Sequence, residues 1–205
     1  MENKMFKKII MMSIVSSGVL LAQSSAGINI NEDDLEIEGI LDSRNLAALQ
    51  TSSTIFQADV NFINIDSADQ EGTLLGAGIG ATNQLEGVEG VELTFGAKFI
   101  WVSTKENRID DSYTYLPLMA KVRYVFPPLM FNIPPVSIES KLLYAPGALA
   151  FGDGDKYSEF RASADIEMIE NVKIYGGYRN VVAGFKGNTD YTFNNGWFAG
   201  LKFTY

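Results

Sequence analysis

Charged side chains at alternate positions are the part of this sequence best suited to chemistry. They occur as pairs with one residue between the partners: Lys121 and Arg123, Glu139 and Lys141, Asp165 and Glu167. Two carboxylates such as Asp165 and Glu167 could act as the acid and base of a glycoside hydrolase. The same spacing puts both carboxylates on one face of a β-strand, so the strands that carry these pairs decide what they can do.

The sequence contains no histidine and no cysteine, and this removes most other site chemistry. Without histidine there is no Ser-His nucleophile and no imidazole metal ligand. Without cysteine there is no disulfide framework, no thiolate zinc site and no lipoprotein anchor. Asp153, Asp155 and Glu159 could offer oxygen atoms to Ca²⁺, but their spacing is not that of a calcium loop. We therefore expect no enzyme, no cofactor and no metal site.

A glycine-rich segment at 76–81 reads Gly-Ala-Gly-Ile-Gly-Ala, which matches part of a dinucleotide-binding fingerprint. Such a site needs a helix directly after the glycines, because the helix amino terminus holds the pyrophosphate. Residues 82–87 show no helical face. We expect instead a strand whose glycines leave room for crowded neighbouring side chains.

Residues 1–26 have the features of a secretory signal peptide. Three lysines precede an apolar core at 9–21, and Ser24 and Ala26 supply the small residues for cleavage after Ala26. This leader holds three Lys and one Glu, so its removal changes the net charge from −9 to −11. That charge disfavours nucleic-acid binding. An acidic, cysteine-free exported protein is typical of a bacterial envelope.

Apolar and polar residues alternate along most of the remaining chain, 27–205, with the period of β-strands. Near residues 91–102, for example, Phe95 and Trp101 share one face, and Glu92 and Lys98 lie on the other. Nine strands are predicted, at about 34–42, 54–64, 73–82, 91–102, 114–126, 136–145, 157–169, 172–182 and 191–205. Only residues 46–49 could form a helical turn. Pro117 removes a ladder hydrogen bond, so the fifth strand should start at Leu118.

Strand length and surface type favour a transmembrane antiparallel β-barrel over a secreted β-sandwich. Several predicted strands are nine to twelve residues long, close to the length of a membrane-spanning strand. Trp197 and Tyr205 share one face and would lie about 20 Å apart along the membrane normal, near the spacing of two aromatic girdles. Trp101 and Tyr124 are further candidates for these membrane-interface girdles. The predicted fold class is all-β.

Single-chain bacterial barrels have an even number of strands and both termini in the periplasm, so nine strands cannot be right. Either residues 28–31 add a tenth strand, which we favour, or one segment is wrong and the barrel has eight. The short turn at 170–171 should lie in the periplasm. Loops 103–113, 146–156 and 183–190 would then face the outside of the cell.

Apolar faces directed at lipid would leave eight acidic and eight basic side chains pointing into the lumen. The acidic residues are Glu36, Glu38, Asp59, Glu92, Glu139, Glu159, Asp165 and Glu167; the basic residues are Lys98, Lys121, Arg123, Lys141, Arg161, Lys173, Arg179 and Lys202. A barrel of eight to ten strands is just wide enough for side chains to fill it. The charges would therefore either pair and plug the barrel or line a narrow polar pore, where no glycan could reach Asp165 and Glu167.

Several short motifs resemble the YfaZ family of outer-membrane proteins. They are Tyr144-Ala145-Pro146 with Phe151-Gly152-Asp153 and Tyr157, then Gly177-Tyr178-Arg179-Asn180 with Gly196 and Gly200-Leu201-Lys202-Phe203, and the early Ile28-Asn29-Ile30-Asn31 with Asp33 and Asp34. In order and spacing they span most of the mature chain, although Tyr205 stands where that family commonly ends in Phe. The resemblance implies an outer-membrane barrel, sometimes described as a porin, with no known reaction and no catalytic residues.

Two functions are left open for such an outer-membrane barrel. One is a small porin-like channel through the charged lumen, with small solutes or ions as its partners. The other is a closed barrel without transport activity, which is structural or binds through its outer loops. In either case the expected partners are outer-membrane lipid, lipopolysaccharide and the barrel-assembly machinery, which would bind the terminal strand from Trp197 to Tyr205.

Overall fold

The computed structural model is an all-β, closed, antiparallel barrel of ten strands. It describes residues 24–43, 53–66, 71–106, 109–127, 134–186 and 190–204. Within these residues there is no helix with the length and hydropathy needed to cross a membrane. The predicted helical turn at 46–49, the first 23 residues of the predicted leader and Tyr205 lie outside the described residues.

Twelve strand segments make up the barrel: β1 Ser24–Ile30, β2 Asp34–Asp42, β3 Ile55–Asp66, β4 Glu71–Gln84, β5 Val91–Glu106, β6 Ile109–Tyr115, β7 Leu118–Val125, β8 Val136–Ala145, β9 Ala150–Phe151, β10 Gly154–Ile169, β11 Val172–Phe185 and β12 Tyr191–Thr204. A 3-10 helix, Gly147–Leu149, precedes β9. β6 and β7 both pair with β5 and form one barrel strand, interrupted at Leu116 and Pro117. β9 is a short addition beside β6.

Pairing of the first strand with the last closes the barrel. The register runs from Ser25 opposite Thr204 to Ile30 opposite Ala199, and β1 also pairs with β2. The end at Ser25 and Thr204 is called the terminal end below, and the opposite end, where β12 begins, is called the far end. The tenth strand predicted near 28–31 is therefore confirmed, although it already begins at Ser24. The predicted cleavage after Ala26 falls within β1 and stays a prediction.

The predicted far-end loops were too long. β5 continues to Glu106 and β6 starts at Ile109, so most of the predicted loop 103–113 is strand. Likewise β11 extends to Phe185, and β10 already begins at Gly154. The polar residues of these segments are typical of turns. Backbone pairing with a long neighbouring strand nevertheless extends each strand past the point where apolar and polar residues cease to alternate.

Side chains alternate between the two faces as a strand requires. On β7, Leu118 and Val122 are exposed on the outside, whereas Lys121 and Arg123 project into the lumen. On β12, Trp197 and Leu201 are exposed, whereas Phe198 is buried in the lumen. The outside is apolar and the inside holds the charged side chains, which is the reverse of the charge distribution of a water-soluble barrel.

Candidate functional site

The interior of the barrel has three layers along its axis, and each has its own chemistry. The apolar plug fills the far end and consists of Ile63, Ile65, Leu74, Ile100, Val102, Tyr115, Met119, Leu143, Ala145, Tyr157, Val181, Ala183, Tyr191 and Phe193. The charged girdle lies in the middle and consists of Asp34, Glu36, Glu38, Asp59, Lys98, Lys141, Glu159, Arg161 and Arg179. The vestibule is the cavity at the terminal end.

Strand register sets four cations side by side on one wall. Lys121 is opposite Lys141, Lys141 is opposite Arg161, and Arg161 is opposite Arg179 across three adjoining strand pairs. Like charges that face each other across neighbouring strands repel. The arrangement therefore needs carboxylates nearby. Those of β2 pair with Arg161 and Arg179, whereas Lys121 and Lys141 pair with Glu139 and Glu159 of the same wall.

Two arginines in the girdle bind carboxylates of β2. The Arg179 guanidinium lies 2.7 Å from Asp34 Oδ1 and also donates a hydrogen bond to Glu36. Arg161 Nη1 lies 3.2 Å from both Glu36 Oε2 and Glu38 Oε2. Asn29 Nδ2 donates a further hydrogen bond of 2.8 Å to Glu36 Oε2. Arg179 and Glu36 are fully buried, and such charges are tolerated only when they are paired and hydrogen-bonded.

The remaining girdle charges are paired in the same way. Lys141 Nζ lies 2.9 Å from Glu159 Oε1, and Tyr157 donates its hydroxyl hydrogen to Glu159 Oε2 at 2.9 Å. Lys98 donates to Asp59. These contacts join β3 to β5 past β4, and β8 to its neighbour β10, whereas the arginines bind β2 from strands that are not its neighbours.

Glycines on β4 make room for the girdle. A Cβ atom on Gly76 would lie within 3 Å of Asn61 Oδ1 and Lys98 Cε, and one on Gly78 would overlap Asp59. The motif that matches a dinucleotide fingerprint is therefore a strand whose glycines face the lumen. Its conformation is extended, and the next element in the chain is another strand, β5.

Contacts between aromatic side chains stabilise the apolar plug, which lies on the far-end side of the girdle. Tyr115 donates its hydroxyl hydrogen to the Gly184 carbonyl oxygen at 3.1 Å, across the lumen from β6 to β11. The Tyr115 and Tyr157 ring centroids are 5.5 Å apart. Tyr113 stacks on Phe185 at 4.2 Å at the margin of the plug. The interruption at Pro117 thus allows β6 to pair with the far end of β5 while the Tyr115 side chain points into the lumen.

The vestibule differs from the girdle in having open space and loose ion pairs. It has a volume of about 410 Å³ and is lined by residues such as Glu92, Lys121, Asp165 and Lys202. Lys121 Nζ is 3.9 Å from Glu139, and Arg123 Nη1 is 3.8 Å from it. Ser25 and Thr204 also line the cavity, which places its mouth at the terminal end.

The structure divides the predicted lumen residues between two layers. Lys98, Lys141, Arg161 and Arg179 lie in the charged girdle. The others line the vestibule: Glu92, Lys121, Arg123, Glu139, Asp165, Glu167 and Lys202. Of the predicted interface aromatics, Trp197 is 77 % exposed on the outside and stacks edge-on against Tyr178 at 5.8 Å.

Two further predicted interface residues also lie on the outer wall. Trp101 follows the exposed Phe99 by two positions on β5 and is half-buried. Tyr124 packs edge-on against Phe126 at 4.7 Å. The three carboxylates suggested for Ca²⁺ do not lie together, because Asp153 and Asp155 are exposed at the far end and Glu159 is buried in the girdle. The described residues hold no cluster of three or more carboxylates that could bind a metal ion.

Sequence reasoning missed several lumen residues and the whole apolar plug. Asp34 lies at the start of the strand predicted at 34–42 but was not counted among the lumen charges, yet it binds Arg179 and accepts a hydrogen bond from Asn194. Asn29 and Tyr175 were not considered, although they hydrogen-bond to each other at 2.9 Å inside the barrel. The plug had one detectable signal: alternation is lost at the far ends of strands, as at Ile100 and Val102.

Apolar residues outside and a layered charged interior define the class of protein: an antiparallel β-barrel of the membrane type. The model of the family described as YfaZ precursor matches residues 6–205, nearly the whole chain. The chain belongs to the YfaZ family, as the short motifs indicated. A comparison with curated proteins finds no match.

Proposed function

We propose that the protein is an integral outer-membrane barrel whose lumen is closed to solutes. In this proposal the far end faces the outside of the cell and the terminal end faces the periplasm. The barrel acts without catalysis, and the barrel-assembly machinery inserts it through the terminal strand β12.

The outer wall supports the membrane placement. On β5 the outward residues from Val91 to Trp101 are uncharged and cover about 25 Å along the membrane normal at ordinary strand tilt. Large apolar side chains such as Phe95, Ile79 and Leu118 are more than 60 % exposed. Exposed apolar surface on this scale favours contact with lipid.

The closed lumen is carried by one observation: two successive layers each contain side chains with no surface accessible to water. Arg179 and Glu36 in the girdle, and Leu74, Tyr115 and Tyr157 in the plug, are all 0 % exposed. A water-filled path beside any of them would give it accessible surface. Their packing therefore favours a barrel that solutes do not cross.

A porin-like channel is the second candidate, because the vestibule is polar and lies open at the terminal end of the lumen. Conduction would require both the plug and the girdle to rearrange. Each girdle cation would then have to leave its carboxylate, which is costly in a medium of low dielectric constant.

Planar-bilayer conductance of the refolded mature protein separates the two candidates. Its fold is first checked by faster migration of the unboiled sample on a detergent gel. The closed barrel predicts no discrete conductance steps, in the native protein or in Lys121→Gln and Arg123→Gln. Reproducible steps whose size or ion selectivity changes in these variants would overturn the closed barrel and establish the channel.

Cell fractionation tests the membrane placement separately. The protein should sediment with outer membranes and resist extraction by alkaline carbonate. Recovery in the soluble periplasmic fraction, with the same mobility before and after boiling, would contradict this placement and favour a secreted sandwich.

A further inference from the structure

The vestibule contains loosely paired charges. Three of its cations, Lys121, Arg123 and Lys173, pair with three of its carboxylates, Glu139, Asp165 and Glu167, and Asp42, Glu92 and Lys202 also line the cavity. Four of the ion pairs among them are 3.8–3.9 Å long, and only Arg123 to Asp165, at 3.1 Å, is of hydrogen-bond length. Most of these pairs are therefore too long for a direct hydrogen bond.

The girdle shows that this looseness is not a general property of the lumen. There, Lys141 approaches Glu159 to 2.9 Å and Arg179 approaches Asp34 to 2.7 Å. The side chains of Arg179 and Asp34 have no accessible surface, whereas those of Lys173 and Glu167 keep 19 % and 30 % of their surface accessible. The vestibule charges thus have room, access and unused hydrogen-bonding capacity.

We propose that the vestibule binds a small zwitterionic solute of amino-acid or dipeptide size. An anion alone would take a cation from its partner and leave a carboxylate such as Glu139 uncompensated. A cation alone would do the reverse. A solute with a carboxylate and an ammonium group can insert between loosely paired partners and leave each of these charges compensated, so that new ion pairs offset the desolvation of both groups.

The depth of the charges gives the solute an orientation. Lys121, Lys202 and Glu139 line both the vestibule and a smaller pocket of about 30 Å³ beneath it, so they form the floor. Glu167 and Lys173 lie near Asn171, at the mouth. We expect the carboxylate of the solute to contact Lys121 and Lys202, and its ammonium group to contact Glu167. The cavity volume lies within the range of small-molecule sites.

The binding itself rests on the vestibule alone, and only the access from the periplasm rests on the proposed function. The test is a titration of ¹⁵N-labelled protein in detergent micelles with diglycine, followed by amide chemical shifts. N-acetyldiglycine and diglycine amide serve as probes that carry only the negative or only the positive charge. We expect saturable chemical-shift changes that are confined to the strands lining the vestibule. Each single-charge probe should bind at least about tenfold more weakly than diglycine.

Variants test the assigned contacts. Lys121→Gln should weaken diglycine binding about tenfold, and Lys173→Gln, at the exposed mouth, provides a second variant should the first fail to fold. Lys156→Gln at the far end is the matched control and should leave binding unchanged. Equal binding of N-acetyldiglycine would show an anion site and overturn the proposal, as would no saturable shift or no effect of either vestibule variant. Discrete bilayer conductance would instead refute the closed barrel, whatever the titration gives.

Discussion

The two ends of the lumen are built from the same strands but differ in the type of residue that these strands direct inward. At the far end the inward positions of β4 and β5 hold apolar residues such as Leu74 and Ile100, which pack like a soluble core. Toward the terminal end the same strands present Thr82 and Glu92 to an open cavity. Between these ends, buried ion pairs replace apolar packing. The apolar plug therefore closes the barrel by packing, and the ion pairs of the girdle cross-link its wall. The vestibule remains open because neither the packing nor the ion pairing is tight there.

Removal of Arg179 should have the largest effect on stability, because it would leave Asp34 and Glu36 buried and unpaired. We expect Arg179→Met to lower the free energy of unfolding by about 3–5 kcal/mol. Urea unfolding in lipid vesicles, followed by tryptophan fluorescence, measures this change. A loss below about 1 kcal/mol, as for surface ion pairs, would contradict the view that the girdle holds the wall together.

The apolar plug offers a matched pair of adjacent leucines on β4. Leu74 faces the plug and is 0 % exposed, whereas Leu75 faces outward and is 49 % exposed. Leu74→Ala should cost about 2–4 kcal/mol, because it loses transfer free energy and leaves a cavity. Leu75→Ala should cost less, since lipid chains can refill the space. Equal losses in the same urea experiment would show that the plug is not tightly packed.

Alternation along the chain was sufficient to predict the fold. On β7, and on β12 from Trp197 onward, every second residue is apolar, and the structure places those residues on the outer wall, as at Val122 and Leu201. Strand ends were less predictable. Ile109–Tyr115 contains four polar residues, and its strand conformation depends on pairing with β5, which no local pattern records.

The sequence was sufficient to predict that charged side chains line the lumen, but not how these side chains are arranged relative to one another. A period of two assigns Lys121 and Arg179 to the inner face, but it gives no register between strands that are distant in sequence. The row of four cations, and the carboxylates of β2 opposite it, arise from that register. The division into tight girdle and loose vestibule depends on depth along the axis, which hydrophobic periodicity does not encode.

Arg123 allows a smaller test of the same comparison. It bonds Asp165 at 3.1 Å, close to the distances in the girdle, but its side chain remains 21 % exposed. Arg123→Gln should cost about 1 kcal/mol or less, since Ser137 still donates a hydrogen bond to Asp165 at 2.6 Å. A loss as large as that of Arg179→Met would show that the vestibule charges are as tightly coupled as the girdle.

The smallest effect should come from the ion pair of Lys156 and Asp190 at the far end. Its separation of 2.8 Å matches the 2.7 Å of Arg179 and Asp34, but both partners are about 45 % exposed. Hydrogen bonding to Asp190 raises the pKa of Lys156, so any stabilisation is present at neutral pH and is lost only as the pH rises through that raised value. Because water screens the pair, Lys156→Gln should not change the urea midpoint at pH 7. If it does shift the midpoint as Arg179→Met shifts it, then the distance between the charges, and not their burial, sets the strength of ion pairs in this barrel.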